Sequence, residues 1–469
     1  MERRCFMKTI SAGAASLALH RLGFAETDKA LRLNIILIVA DDLGYGDLGC
    51  YGQTKIQTPH IDRLAAEGMR FTNHYTGSPV CAPARCSLMT GLHTGHCTVR
   101  DDQAKAGGER KLVPLSPDDT TIASLLKGRE YMTGAIGAWG LGNPGTSGTP
   151  QKHGFRWFFG CLDPVHARDC YTDYLLRDHV RVSLKGNMGG KKEQYTPDLW
   201  AEDALEFVRL YDKEDNTPFF LYLPLTLPGG ECVVPDDAPY ASENWSQRDK
   251  NYAAAITRLD RDVGGIMALL KEKGMEDNTI VFFTSDNGPN PPFIESFNSA
   301  GGLRGGKRSL YEGGIRVPMI VRWPGKVPAG KVSDFPWAFW DFLPTAAELA
   351  GLQPPKGIDG MSVVPTLLGK EQTPHEHLYW EFYDPFHQAV RMGDWKGVRF
   401  GTEEPLELYN LSTDPAEKNN VAAQHTEIVK NIAGIMAEAH TDSPHWPVVG
   451  KADGVGKADG VGGADVGRK

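Results

Sequence analysis

Apolar positions along this chain follow two different rhythms. Residues 33–39 read Leu-Asn-Ile-Ile-Leu-Ile-Val, a nearly continuous apolar run rich in β-branched side chains, which predicts a parallel strand buried on both faces. Residues 219–223 and 278–283 repeat the pattern, and helical periodicity fills the space between such runs. Residues 59–68 carry one apolar face; within 249–273, Tyr252, Ile256, Leu259, Val263, Ile266 and Leu269 form another. Alternation of this kind predicts an α/β fold. From about residue 375 the runs become short (378–380, 388–391, 396–399, 407–409), predicting an antiparallel meander closed by a helix over 427–439. The expected organisation is therefore a catalytic-sized α/β domain over 32–370 and a smaller subdomain over 375–447. A Gly-rich tail follows over 448–469, where Lys-Ala-Asp-Gly-Val-Gly occurs twice and nothing large is available to bury, so disorder is expected there.

Composition narrows the function classes. Of 469 residues 41% are hydrophobic and 23% charged, which excludes global disorder and a collagen-like repeat. The 50 Lys+Arg against 59 Asp+Glu give a net charge of -9, without a basic cluster beyond the N-terminus, so nucleic acid is not an expected partner. No apolar run reaches the roughly 18 residues of a membrane-spanning helix. Arg3-Arg4 ahead of a mildly apolar stretch (9–19), Arg21 and the small-residue site ending at Ala25 read as a twin-arginine signal over 1–25, predicting export to the periplasm or beyond. Seven cysteines then remain (Cys50, Cys81, Cys86, Cys97, Cys161, Cys170, Cys232), able to pair in an oxidising compartment, and the lack of any C-x-x-C argues against a structural zinc site.

Two of the buried strands end in polar clusters, Asp41-Asp42 and Ser285-Asp286-Asn287-Gly288. Loops at the carboxyl ends of parallel strands form the ligand crevice, so these clusters are candidates to meet there. Asp41, Asp42, Asp286 and Asn287 offer only oxygen donors, which favours a hard cation and calcium over magnesium; the same residue types are also ordinary turn and cap residues. Between the strands lies Cys81-Ala82-Pro83-Ala84-Arg85, followed by Leu88-Met89-Thr90-Gly91. Pro83 can open a helix with Cys81 at its positive end, predicting an acidified thiol; the alternative is a buried or disulfide-bonded cysteine.

These motifs, with Gly306-Lys307-Arg308-Ser309-Leu310-Tyr311-Glu312-Gly313-Gly314, occur in the order found in type I sulfatases. Over residues 32–445 the chain resembles that formylglycine-dependent family of the alkaline-phosphatase-like superfamily. The resemblance implies a large mixed, mostly parallel sheet flanked by helices, with a smaller C-terminal antiparallel-sheet subdomain. It implies that Cys81 is converted to formylglycine by a formylglycine-generating or sulfatase-maturating enzyme, the hydrated aldehyde serving as nucleophile. It further implies calcium on Asp41, Asp42, Asp286 and Asn287, with Arg85 and Lys307 contacting sulfate. The chain departs from the pattern at Ala138, where the family carries a sulfate-binding lysine, and at Gly229, aligned with a histidine near the leaving oxygen. His166 and Arg168 are candidates to line the substrate cleft, and His93 and His96 to support the site. Two functions follow: an exported sulfatase acting on a sulfated carbohydrate or aryl sulfate, or a sulfatase-fold protein with lost or reduced turnover that binds sulfated glycans. A phosphoester hydrolase is disfavoured by Cys81, where such enzymes carry Thr or Ser.

Overall fold

A computed structural model describes residues 33–106, 109–212, 217–230 and 232–448; the expected signal segment and all but the first residue of the Gly-rich tail lie outside them. The predicted first strand forms as β1 (Asn34–Asp41), with every residue buried. It lies at the centre of a ten-stranded mixed sheet. The other members are β2 (Met69–Phe71), β3 (Met132–Ala138), β4 (Trp157–Cys161), β5 (Tyr174–Arg177) and β6 (Val180–Ser183), then β7 (Phe219–Pro228), β8 (Thr279–Ser285), β9 (Met319–Arg322) and β10 (Lys331–Ser333). Their order is β10-β2-β9-β8-β1-β7-β3-β4-β5-β6. The inner strands β8, β1, β7, β3 and β4 run parallel, and antiparallel pairings enter on either side. β7 runs five residues beyond the apolar stretch that predicts it, as far as Pro228.

Alternate residues of β1 serve opposite faces, as strand geometry requires. Ile36, Ile38 and Ala40 pack toward α1 (Pro59–Ala66), α4 (Thr196–Arg209) and α5 (Gln247–Glu272). Ile35, Leu37 and Val39 pack toward α2 (Cys81–Thr90), α3 (Ile122–Lys127) and α6 (Phe342–Leu349). The result is helices on both faces of a sheet whose central strands are sealed from water. Because β1 has parallel neighbours on both sides, the carboxyl ends of β8, β1 and β7 border one crevice. Among the described residues no helix is long and apolar enough to cross a membrane.

The C-terminal meander forms as β11 (Leu378–Tyr383), β12 (Phe386–Met392), β13 (Trp395–Phe400) and β14 (Glu407–Asn410), each antiparallel to the next. Helix α7 (Thr426–Glu438) covers one face through Ile432 and Met436. The other face packs Trp380, Phe382 and Ala389 against Tyr75, Val80 and Leu310, residues that flank the Cys81 and Lys307 motifs. A buried charge network crosses this seam. Lys396 Nζ on β13 lies 2.9 Å from Glu312 Oε1 and 3.0 Å from Glu417 Oε1, all three side chains fully buried, and Tyr75 donates to Glu312 at 2.7 Å. Burial works against ionisation of Glu312, but Lys396, Arg316 and Arg391 hold its carboxyl at about 2; burial pushes Glu417 up to about 7.

Removing one partner of such a buried group leaves uncompensated charge, so Lys396→Met is expected to destabilise the fold by about 3–5 kcal/mol, measured by denaturant unfolding. Glu417 keeps its proton in the folded chain up to about pH 7, against an ordinary value of 4.5, so the folded state binds more protons across that window. Its contribution therefore falls as pH rises from about 4.5 to 7, and Glu417→Gln should flatten that part of the stability profile.

Candidate active site

The end of β1 sets the geometry. Asp42 follows it with φ 61°, and its N–H donates to Asp286 Oδ1 at 3.2 Å, while Asp286 N–H donates to Ala40 O at 3.0 Å. The clusters at the ends of β1 and β8 are thereby locked together. Arg85, from α2, donates through Nη2 to Asp286 Oδ2 at 2.9 Å and to Asp41 Oδ1 at 3.4 Å, and through Nη1 to Ala138 O at 2.7 Å. Asp42 accepts from Lys307 Nζ at 2.5 Å and Asn287 Nδ2 at 2.7 Å on one oxygen, and from Asn290 Nδ2 at 2.7 Å on the other.

All three carboxylates are buried, and their acidities diverge. Burial, then repulsion from Asp286 and Asp42, pushes Asp41 well above the usual carboxylate range; burial likewise raises Asp286. Asp42 is also penalised by burial, yet Lys307, Asn287 and Asn290 hold it below its ordinary value. Carboxylate oxygens of Asp41 and Asp286 and the Cys81 sulfur lie within 4.8 Å of one another. Asn287 spends its amide nitrogen on Asp42 and Gly288, whereas its buried Oδ1 has no hydrogen-bond partner. Crowded carboxylates beside an orphaned carbonyl oxygen fit a hard cation with oxygen ligands.

Cys81 is the first residue of α2, two positions earlier than the proline expected to open the helix, and Gly91 closes it in the left-handed conformation (φ 74°). The acidified thiol expected at this helix start is not found. Burial, and next the carboxylate of Asp102, push the Cys81 thiol well up, outweighing helix polarity and the opposing Lys307. Asp102 accepts from the Ala82 N–H at 3.3 Å, so the positive end of the helix is already engaged by a carboxylate. All seven described cysteines are free thiols, so the pairing the compartment would permit is absent.

A small cavity of about 20 Å³ at Cys81 is lined by Asp41, Arg85, Ala138, Arg168 and Thr226 among others. A cleft of about 530 Å³ shares Pro164 and Arg168 with it. Arg168 thus reaches both spaces. His166 is in neither lining: its Nε2 lies 2.5 Å from Thr172 Oγ1, its ring packs on Tyr174, and burial lowers its pKa. His93 and His96 stack on each other; the His93 backbone N–H donates to Asp359 Oδ2 at 2.9 Å and His96 Nδ1 lies 2.8 Å from Asp359 Oδ1, bracing the exit of α2. Sequence reasoning missed Asn290 and Asp102. Asn290 follows the Asp286 motif without a signal of its own, and Asp102 lies twenty residues from its contact at Ala82.

The family model described as "Sulfatase" matches residues 33–352. This chain belongs to the sulfatase family. A second model, "N-sulphoglucosamine sulphohydrolase, C-terminal", matches 305–442 of this sulfatase. Among curated relatives, N-acetylgalactosamine-6-sulfatase of Canis lupus familiaris is 33% identical, covering 87% of this chain and 80% of its own. N-acetylgalactosamine-6-O-sulfatase of Bacteroides thetaiotaomicron is 32% identical, covering 87% and 93%. Among solved structures, Ps i-CgsB in complex with k-i-k-neocarrahexaose superposes with a TM-score of 0.75 at 31% identity, covering 87% of this chain and 92% of that one.

Ala138 and Gly229, read from the sequence as departures from the family pattern, sit in different local settings in this sulfatase. Ala138 ends β3 with its carbonyl accepting from Arg85, and it lines the small cavity beside Cys81. Gly229 has φ 66°, its N–H donates to Asp41 O at 3.0 Å, and an added Cβ would lie 2.6 Å from Thr226 O. Glycine is therefore demanded there by the backbone. Gly229→Ala is expected to cost about 1–3 kcal/mol of unfolding free energy, read by chemical denaturation.

Proposed function

We propose that this sulfatase is exported and hydrolyses a sulfate ester of a carbohydrate, using a formylglycine formed from Cys81 and a calcium ion held by Asp41, Asp42, Asp286 and Asn287. The observation that carries the reading is the convergence of Asp41, Asp286 and residue 81 within 4.8 Å, beside the unpartnered Oδ1 of Asn287. Support for a carbohydrate ester comes from relatives named for N-acetylgalactosamine 6-sulfate and a similar structure solved with neocarrahexaose.

Once converted by a maturating enzyme, residue 81 would supply a hydrated aldehyde with one hydroxyl to attack sulfur and a second whose deprotonation releases sulfate. A calcium ion would contribute Lewis acidity toward the sulfate oxygens. The protein's own groups do the positioning. Arg85 holds Asp41 and Asp286 against the reacting space and keeps a positive charge beside it, and Lys307 holds its ammonium on Asp42. Both cations stabilise negative charge developing on sulfate and on the departing oxygen, and both are preorganised by carboxylates that cannot move away. A purely binding role would not call for an oxidisable Cys-x-Pro-x-Arg signature in this position.

Intact and peptide mass analysis of chain coexpressed with a maturating enzyme is expected to find aldehyde at residue 81 and to lose both aldehyde and sulfate release in Cys81→Ala. Unmodified thiol in an active preparation would overturn the nucleophile. Asp286→Ala should lose calcium, measured by elemental analysis, together with activity. For export, changing Arg3 and Arg4 to lysine should leave precursor in the cytoplasm, read by fractionation; unchanged export would contradict twin-arginine routing.

A further inference from the structure

The cations around residue 81 are unequally committed. Arg85 is spent on Asp41, Asp286 and the Ala138 carbonyl, and Lys307 on Asp42. The Arg168 guanidinium makes no hydrogen bond or ion pair within the described residues, yet it lines the small cavity together with Cys81 and Asp41. It follows the one-turn helix Pro164–Ala167, whose cap, Asp163, accepts the Val165 and His166 N–H groups at 2.7 and 3.1 Å, so the backbone that carries Arg168 is fixed. An arginine with five donors and no partner, held where the small cavity meets the outer cleft, is a preorganised anion receiver.

The cleft beyond it has the opposite sign. Asp101, Asp102, Asp163 and Asp384 line it, while the only other arginine that lines it among the described residues, Arg308, is neutralised by Asp384 at 2.9 Å. Arg168 therefore faces the carboxylates of Asp102 and Asp163, with the Asp101 carboxyl pushed up to about 7 by burial, and no second unpaired arginine among the described residues that line the cleft. Such a wall accepts hydroxyl donors, and the Phe386 ring on the same cleft offers a surface for the apolar face of a pyranose. It repels further sulfates or carboxylates.

We infer that Arg168 grips the sulfate under attack and that the carboxylates of the outer cleft restrict the substrate to a sugar whose only anionic group is that sulfate. This rests on the proposed sulfatase reading and narrows its substrate class: monosulfated neutral glycosides are turned over, and polysulfated or uronate-bearing ones are rejected. Ala138 and Arg168 line the same small cavity, so a cation supplied from position 138 can replace the one lost from 168.

The test uses full-length protein with aldehyde content verified by mass and sulfate release measured by ion chromatography. Substrates are 4-nitrophenyl galactoside and glucoside monosulfates and the disulfates of the same sugars. Wild type is expected to favour monosulfates by about tenfold or more in kcat/KM. Arg168→Ala should lower kcat/KM on monosulfates by about a hundred- to a thousandfold, and Ala138→Lys in that background should restore part of it. Asp102→Asn and Asp163→Asn, which keep an oxygen for their backbone contacts, should each raise the disulfate to monosulfate ratio. Equal turnover of disulfates by wild type, or an Arg168→Ala variant of undiminished kcat/KM, overturns the inference. Failure of aldehyde-bearing wild type to release sulfate from any of these esters would instead overturn the sulfatase reading beneath it.

Discussion

Three carboxylates buried at the ends of two adjacent strands must be compensated, and the positive charges that do so come from elsewhere in the chain. Arg85 arrives on a helix and Lys307 on a glycine-rich loop, each ion-paired to a strand-end aspartate at 2.5–2.9 Å. Desolvation of an unpaired carboxylate would cost several kcal/mol, so the strands, the signature helix and the loop are bound to one arrangement. The same charges that hold these elements together are the ones that would face a sulfate.

The C-terminal sheet is part of this arrangement. Its inner face packs on the segments that lead into Cys81 and follow Lys307, and Lys396 reaches across to Glu312 within the Lys307 motif. Two apolar surfaces alone would permit sliding. A lysine shared by two buried carboxylates has one low-energy register, which gives the loop bearing Lys307 a defined position relative to α2.

Polarity is graded outward from residue 81. The inner space collects cations opposite carboxylates, the boundary holds one unpaired arginine, and the outer cleft is acidic with an aromatic wall. A site organised this way receives one anion deeply and a hydroxylated body above it.

Much of this was legible in the chain itself. Continuous apolar runs at 33–39 and 278–283 are diagnostic because strands buried on both faces tolerate nothing else, and the polar residues ending them mark the crevice for the same reason. The Cys81 and Lys307 motifs were visible because their chemistry is carried by residues close together in sequence. Other features required the tertiary structure. The Cys81 thiol is raised rather than acidified because packing buries it and Asp102 folds back on the helix start; Gly229 is set by the left-handed backbone beside Asp41; His166 turns to Thr172 while its neighbour Arg168 enters the site. Each depends on the direction of a side chain and on charges brought near by distant segments. Periodicity and motif spacing record which elements form and which residues they carry; the field at a buried atom is a sum over everything packed around it, and that sum exists only once the chain has folded.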